Sequence, residues 1–170
     1  MASNKSKRKG DAFERKIATL FSDRFKDYLG VDKGFIRNRS SGSYLGGKNH
    51  SRARGMLKEH KDTGDIITPS SFRWDMELKH YANPITFKSI VSQKYKQWDD
   101  WIDQASQDCA TSGKEDFILV IKYNLVDPVV ILGKSIEWTY SDPVASYREH
   151  KIVPLSEFLS MPNDFYFNKE

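Results

Sequence analysis

Residues 64–80 read Gly64-Asp65-Ile66-Ile67-Thr68-Pro69-Ser70-Ser71-Phe72-Arg73-Trp74-Asp75-Met76-Glu77-Leu78-Lys79-His80. From Arg73 to His80 the residues alternate strictly. Trp74, Met76 and Leu78 fall on one face of an extended chain, and Asp75, Glu77 and Lys79 on the other. Gly64–Thr68 reads as a short preceding strand, and Pro69-Ser70-Ser71 as the turn between them. If the two strands form a hairpin, Asp65 and Glu77 converge on one point.

Upstream, Gly10-Asp11 is expected to open a helix, with Asp11 and Glu14 as a capping box. Phe13, Ile17, Leu20, Phe21 and Phe25 recur at helical spacing and bury one face, and the helix should end near Leu29-Gly30. Residues 34–40 read as a short strand. A basic, glycine-rich stretch, 41–63, then reads as a loop inserted before Gly64; loops of that length inside a domain are usually functional or disordered.

Downstream, Asn83-Pro84 breaks the chain, and one long helix is expected from about Thr86 to Thr111. Its apolar stripe is Phe87, Val91, Tyr95, Trp98, Ile102, Ala105 and Cys109, with Gly113 as its stop. A second stripe, Lys94, Gln97, Trp101 and Gln104, reads as solvated surface, with Gln104 as a weaker site candidate. Phe117–Tyr123 is apolar and β-branched, the pattern of a buried central strand, and Val129–Leu132 pairs with it as a hairpin. An edge strand near Lys151–Val153 and a small helix near Leu155–Leu159 are expected in a C-terminal extension, 133–170. The order gives an α/β chain with a central mixed sheet flanked by helices, as one domain over 10–170 behind a flexible basic arm, 1–9.

The 170 residues carry a net charge of +4, unevenly spread. Residues 1–61 hold 16 basic and 6 acidic side chains, a net of +10, and the remainder carries −6. A polyanion-facing first third follows, with a solubilising tail and a solvated loop as the plainer alternative. Lys7, Arg8 and Lys9 on the arm, and Arg37, Arg39, Lys48, Arg52 and Arg54 at the loop, are the candidate phosphate contacts. The lone cysteine, Cys109, excludes an intramolecular disulfide framework and reads as a core residue. No zinc spacing links His50, His60, His80 and His150, for which loop and surface roles suffice. Gly46-Gly47-Lys48 lacks the spacing of a phosphate-binding loop. No apolar run approaches the ~20 residues of a membrane span, and the N-terminus has no signal-peptide core. The expected setting is the cytoplasm.

Asp65 and Glu77 together suit Mg²⁺, a hard cation that takes one or two carboxylates and keeps several waters. Such a cation polarises a phosphoryl oxygen and acidifies bound water, and a neighbouring Lys79 can orient that water and stabilise charge on phosphorus. Glu-x-Lys on a strand is also a common solvated ion pair, Asp65 after glycine a common turn residue, and Glu14 has a purely structural reading as part of the cap.

The ordered set Lys9-Gly10, Glu14-Arg15, Arg39-Ser40-Ser41-Gly42, Gly64-Asp65 and Glu77-Leu78-Lys79 resembles the PD-(D/E)xK nuclease superfamily. Within it, the set is similar to the archaeal-type Holliday junction resolvases, which have relatives in phages. The resemblance runs through roughly the first three-quarters of the chain. It implies a restriction-endonuclease-like core and a metal-dependent endonuclease, with Asp65, Glu77 and Glu14 toward Mg²⁺ (Mn²⁺ able to substitute), Lys79 as water-orienting group, and Ser41 close to the site. It further implies branched DNA as substrate and a homodimer, for which the long helix or Phe165-Tyr166-Phe167 would supply the interface. Two departures stand out: the inserted loop, and Gly64 where the motif has proline. Cleavage of linear or single-stranded DNA, DNA binding without catalysis, and a protein-interaction domain with a basic tail are the competing expectations.

Overall fold

The structure, a computed structural model, describes residues 2–38 and 64–168, with side chains from Arg8 onward in the first stretch. Its elements are α1 (Ala2–Leu29), β1 (Ile36–Arg37), β2 (Ile66–Ile67), β3 (Trp74–Tyr81), α2 (Phe87–Ser92), α3 (Lys96–Ser112), β4 (Asp116–Tyr123), β5 (Val129–Leu132), β6 (Ala145–Tyr147), β7 (His150–Pro154), α4 (Leu155–Phe158) and α5 (Asn163–Tyr166). Five strands form one mixed sheet in the order β3-β4-β5-β7-β6. The β3–β4 pair is parallel, with Glu77 opposite Leu119 and Lys79 opposite Ile121; the other neighbours are antiparallel. A parallel pair needs a crossover, which α2 and α3 supply.

The alternation read from residues 74–79 is realised. Trp74, Met76 and Leu78 join Ile118, Val120, Val130 and Leu132 in a core with Phe13, Ile17, Phe21 and Phe25 of α1. The opposite face packs Leu119, Ile121 and Ile131 against Trp98, Ile102, Ala105 and Cys109 of α3. Helix α3 ends at Gly113, whose φ of 74° is the left-handed conformation that glycine adopts without a Cβ clash.

Several expectations are corrected. Helix α1 begins at Ala2, so Gly10 and Asp11 lie inside it and the capping box is absent; lysine and arginine propagate a helix well, and one interior glycine costs only about 1 kcal/mol. Leu20 of the stripe is 38 % exposed. Of the strand expected at 34–40, the described residues hold only β1, which pairs with β2 rather than with the main sheet. The long helix is broken: Gln93, at φ 54°, ends α2, and Phe87 and Val91 are exposed. The Gln93 side chain donates to the Ser146 carbonyl and accepts from the Arg148 backbone N–H. Tertiary contacts at β6 thus override the helical repeat. Trp101 is buried, its ring 4.7 Å from that of Tyr81, and His150 is buried, its Nδ1 2.8 Å from the Leu132 carbonyl oxygen. Strand β7 lies between β5 and β6, not at the edge.

The C-terminal segment completes the core. Phe158, Phe165, Tyr166 and Phe167 are buried among Phe25, Phe72 and Trp74, and Phe72 bridges to Phe167. These rings are therefore not an interface for a second copy.

Candidate active site at the outer edge of β3

Strand β3 ends the five-stranded sheet, and Asp65 sits against its outer edge. The Asp65 N–H donates to the Met76 carbonyl at 2.9 Å. The Asp65 carboxylate then takes the next edge donor, accepting from the Leu78 N–H at 2.9 Å. One residue thus makes the hairpin-like contact with its backbone and terminates it with its side chain. Gly64 permits this approach, because a Cβ there would stand 2.5 Å from the Met76 carbonyl oxygen and 2.6 Å from Asp75 Oδ1. Asn38 holds the segment from the other side, donating its side-chain amide to the Gly64 carbonyl at 2.9 Å and its backbone N–H to the Asp65 carbonyl.

Glu77 projects from β3 toward α3 and is only 3 % exposed. Its Oε1 accepts from Lys79 Nζ at 2.5 Å and from Gln104 Nε2 at 2.8 Å. Lys79 also donates to Gln104 Oε1 at 3.1 Å, closing a three-residue ring of hydrogen bonds. Burial, and after it the Asp65 charge, push the Glu77 carboxyl up to about 8, against the pull of Lys79. Burial opposes the charge on Lys79, but the carboxylates of Glu77 and Asp65 prevail and raise its pKa. Desolvation weighs more on Glu77, which is nearly sealed from water, than on Lys79 at its rim.

Glu14 approaches from α1. Burial raises its pKa, the Arg37 hydrogen bond opposes this, and the Asp65 charge adds to the rise. Arg37 of β1 donates Nε to Glu14 and an Nη to Asp11, the latter at 2.5 Å. Arg37, expected at the phosphate-gripping surface, is thus engaged with two carboxylates of α1. Asp75, on the same face as Glu77, is buried rather than on a solvated surface. Cys109 is buried on α3 and its thiol pushed up to about 11 by burial and the neighbouring acids, as suits a core residue.

The structure thus gathers Asp65, Glu77 and Lys79 at one strand edge, with Glu14 within electrostatic reach of Asp65. Gln104, read from the sequence as surface first and site second, belongs to the same cluster; a polar residue on a helix announces its partner only once the helix is laid across a strand. Ser41, Arg39, Lys48, Arg52 and Arg54 lie outside the described residues, as does the Lys7 side chain. Arg8 is exposed, and Lys9 donates to Asn124 Oδ1.

The donors suit a hard divalent cation. Among the described residues no group of three or more His, Cys, Asp or Glu could hold an ion alone. Mg²⁺ does not require one, since it is commonly held by one or two carboxylates, waters and substrate phosphates. A sealed carboxyl whose ionisation is opposed by burial and by a second acid is a group that a cation would relieve. No helix among the described residues is long and apolar enough to cross a membrane.

The five-stranded mixed sheet between α1 and α3 is consistent with a restriction-endonuclease-like fold, as the resemblance implied. No curated protein and no solved structure matches the chain. A family model does match, over residues 5–156, and its span takes in α1 from residue 5 on, the β3 edge and α3, so that every described residue of the cluster falls within it. The chain belongs to the family described as phage putative PDDEXK endonuclease.

Proposed function

We propose that the protein is a metal-dependent DNA endonuclease that cuts branched DNA in the manner of a junction resolvase, acting as a homodimer. The observation that carries the catalytic reading is the buried Glu77, held between Lys79 and Gln104 with Asp65 beside it. Asp65 and Glu77 are the residues that would hold Mg²⁺ or Mn²⁺, with Glu14 reaching it through water. When bound, the cation would polarise the scissile phosphoryl oxygen and acidify a water. Lys79 orients the attacking water with its ammonium and stabilises the charge that develops on phosphorus. Gln104 fixes the Glu77 carboxyl by its hydrogen bond, so that its rotamer is set before substrate arrives. The basic first third of the chain supports a nucleic-acid substrate. The ordered motif set supports the resolvase reading, and paired cuts call for two copies related by a two-fold axis.

The test is a Mg²⁺-dependent digestion of a four-way junction beside its linear arms and the corresponding single strands. Preferential paired nicking of the junction is expected, with loss of cleavage and retained binding in Glu77→Ala. Equal cutting of linear DNA would remove the resolvase assignment, and cleavage surviving in Glu77→Ala would remove the site.

A further inference from the structure

Beyond the site, the β4–β5 turn has three features that folding does not explain. The Val126 N–H donates to the Tyr123 carbonyl, so Tyr123–Val126 is a β-turn with Leu125 third in line. Leu125 has a φ of 59°, which at that turn position calls for glycine or asparagine. Its side chain is fully exposed, at 105 %, and Val126 beside it is 42 % exposed. A γ-branched residue that is strained and packs on nothing contributes nothing to the fold, and such outliers gather at functional positions.

The turn is flanked by cations. Lys9 reaches it from α1, donating to Asn124 Oδ1 at 2.5 Å, and Lys122 donates to the Val126 carbonyl. Neither lysine has an ion-pair partner among the described residues. Lys122 lies beside His80 in the β3–β4 register, and the His80 ring sits 5.3 Å from Phe13 of α1. Burial, then the charges of Lys9 and Lys122, hold the His80 imidazole below its usual range, which places both cations around one point. Asp127, directly after the turn, is the one acid between Asp116 and Glu137 in the sequence. Lys79 pairs with Ile121, and β4 ends two residues later at Tyr123, so the turn begins about 7 Å beyond Lys79 along the strand direction.

We propose that this turn is a DNA wedge: Leu125, with Val126, enters between base pairs of the bound duplex while Lys9 and Lys122 hold the flanking phosphates. The proposal rests on the nuclease reading for its ligand and identifies what locates the cut. An apolar side chain set between cations is the means by which proteins unstack and kink a duplex. A branch point, where stacking is already interrupted, is the cheapest place to insert it.

Leu125→Asn and Leu125→Gly suit the test, since both residues accept the turn's backbone and should leave the thermal midpoint unchanged or raised. Binding is measured with Ca²⁺ in place of Mg²⁺, on junction and linear DNAs carrying 2-aminopurine at successive positions. The wild-type chain is expected to brighten 2-aminopurine at one step, and both variants to abolish the signal and weaken junction binding about tenfold. Lys9→Ala with Lys122→Ala should weaken binding and flatten its salt dependence while the unstacking position is kept. A wild-type complex in which no position brightens overturns the wedge, as do variants that bind and brighten like wild type. Unstacking by a chain that never cleaves would overturn the nuclease reading and leave the wedge standing. A chain that binds no DNA overturns both.

Discussion

Glu77→Gln is the substitution whose consequence the structure fixes most narrowly. The Glu77 carboxyl is raised from 4.5 to about 8 in the folded chain. Between those values the native protein keeps a proton that the unfolded chain gives up. Stability is therefore greatest below about pH 4.5 and is lost as pH rises toward 8. Glutamine imitates the protonated acid, retaining an oxygen to accept from Lys79 and Gln104, and it does not titrate. Each pH unit inside the window is worth about 1.4 kcal/mol, so the variant should gain about 3 kcal/mol on wild type between about pH 5 and pH 7.5. That is a large part of the 5–15 kcal/mol typical of a domain. Urea unfolding of both chains in a chelator, across that range, measures the gap. Mg²⁺ should act in the opposite direction. It requires the ionised carboxylate, so it should stabilise wild type increasingly with pH and leave Glu77→Gln unmoved. Parallel stability curves would mean that Glu77 is ionised throughout, and the reasoning from burial would fail.

Other outcomes follow from the same geometry. Lys79→Met should lower the cleavage rate by about 10²–10³ with substrate affinity little changed, in single-turnover kinetics. Gly64→Ala would place a methyl group against the Met76 carbonyl. It should cost about 1–3 kcal/mol in urea unfolding and reduce cleavage by displacing Asp65. Phe21→Ala, which empties the centre of the aromatic cluster, should cost about 3–5 kcal/mol by the same assay. Gln104→Ala should slow cleavage less than Lys79→Met and shift the lower limb of the pH–rate profile, since it removes a hydrogen bond to Glu77.

The strand carrying the site was legible because period-two alternation survives any packing. Trp74, Met76 and Leu78 had to face one way, and that sent Glu77 and Lys79 the other. Gly64 was legible only as a departure from a motif; its reason, a carbonyl 2.5 Å from where a Cβ would be, exists only once the chain is folded. Gln104 stood as surface first and as a weaker site candidate second, and the same cause, packing of the helix across β3, decides between them. The interruption at Gln93 carries no proline or glycine, and the β6–β7 turn uses Arg148 and Glu149 at positive φ, so nothing in composition marks either. Phe165, Tyr166 and Phe167 read as an interface for a second copy, and what places them in the core instead is that α1 and β3 leave an apolar space which these rings fill. Arg37 read as a phosphate contact by charge alone, and only the packing of α1 beside β1 gives it Glu14 and Asp11.

The central claim is that Asp65 and Glu77 form one cation site at the edge of β3. Titration of the protein with Mn²⁺ at about pH 8, followed by electron paramagnetic resonance, tests it without a nucleic acid. The wild-type chain should bind Mn²⁺ saturably, with Mg²⁺ competing, and Asp65→Asn and Glu77→Gln should each abolish the bound signal while remaining folded. Undiminished binding in both variants would contradict the account.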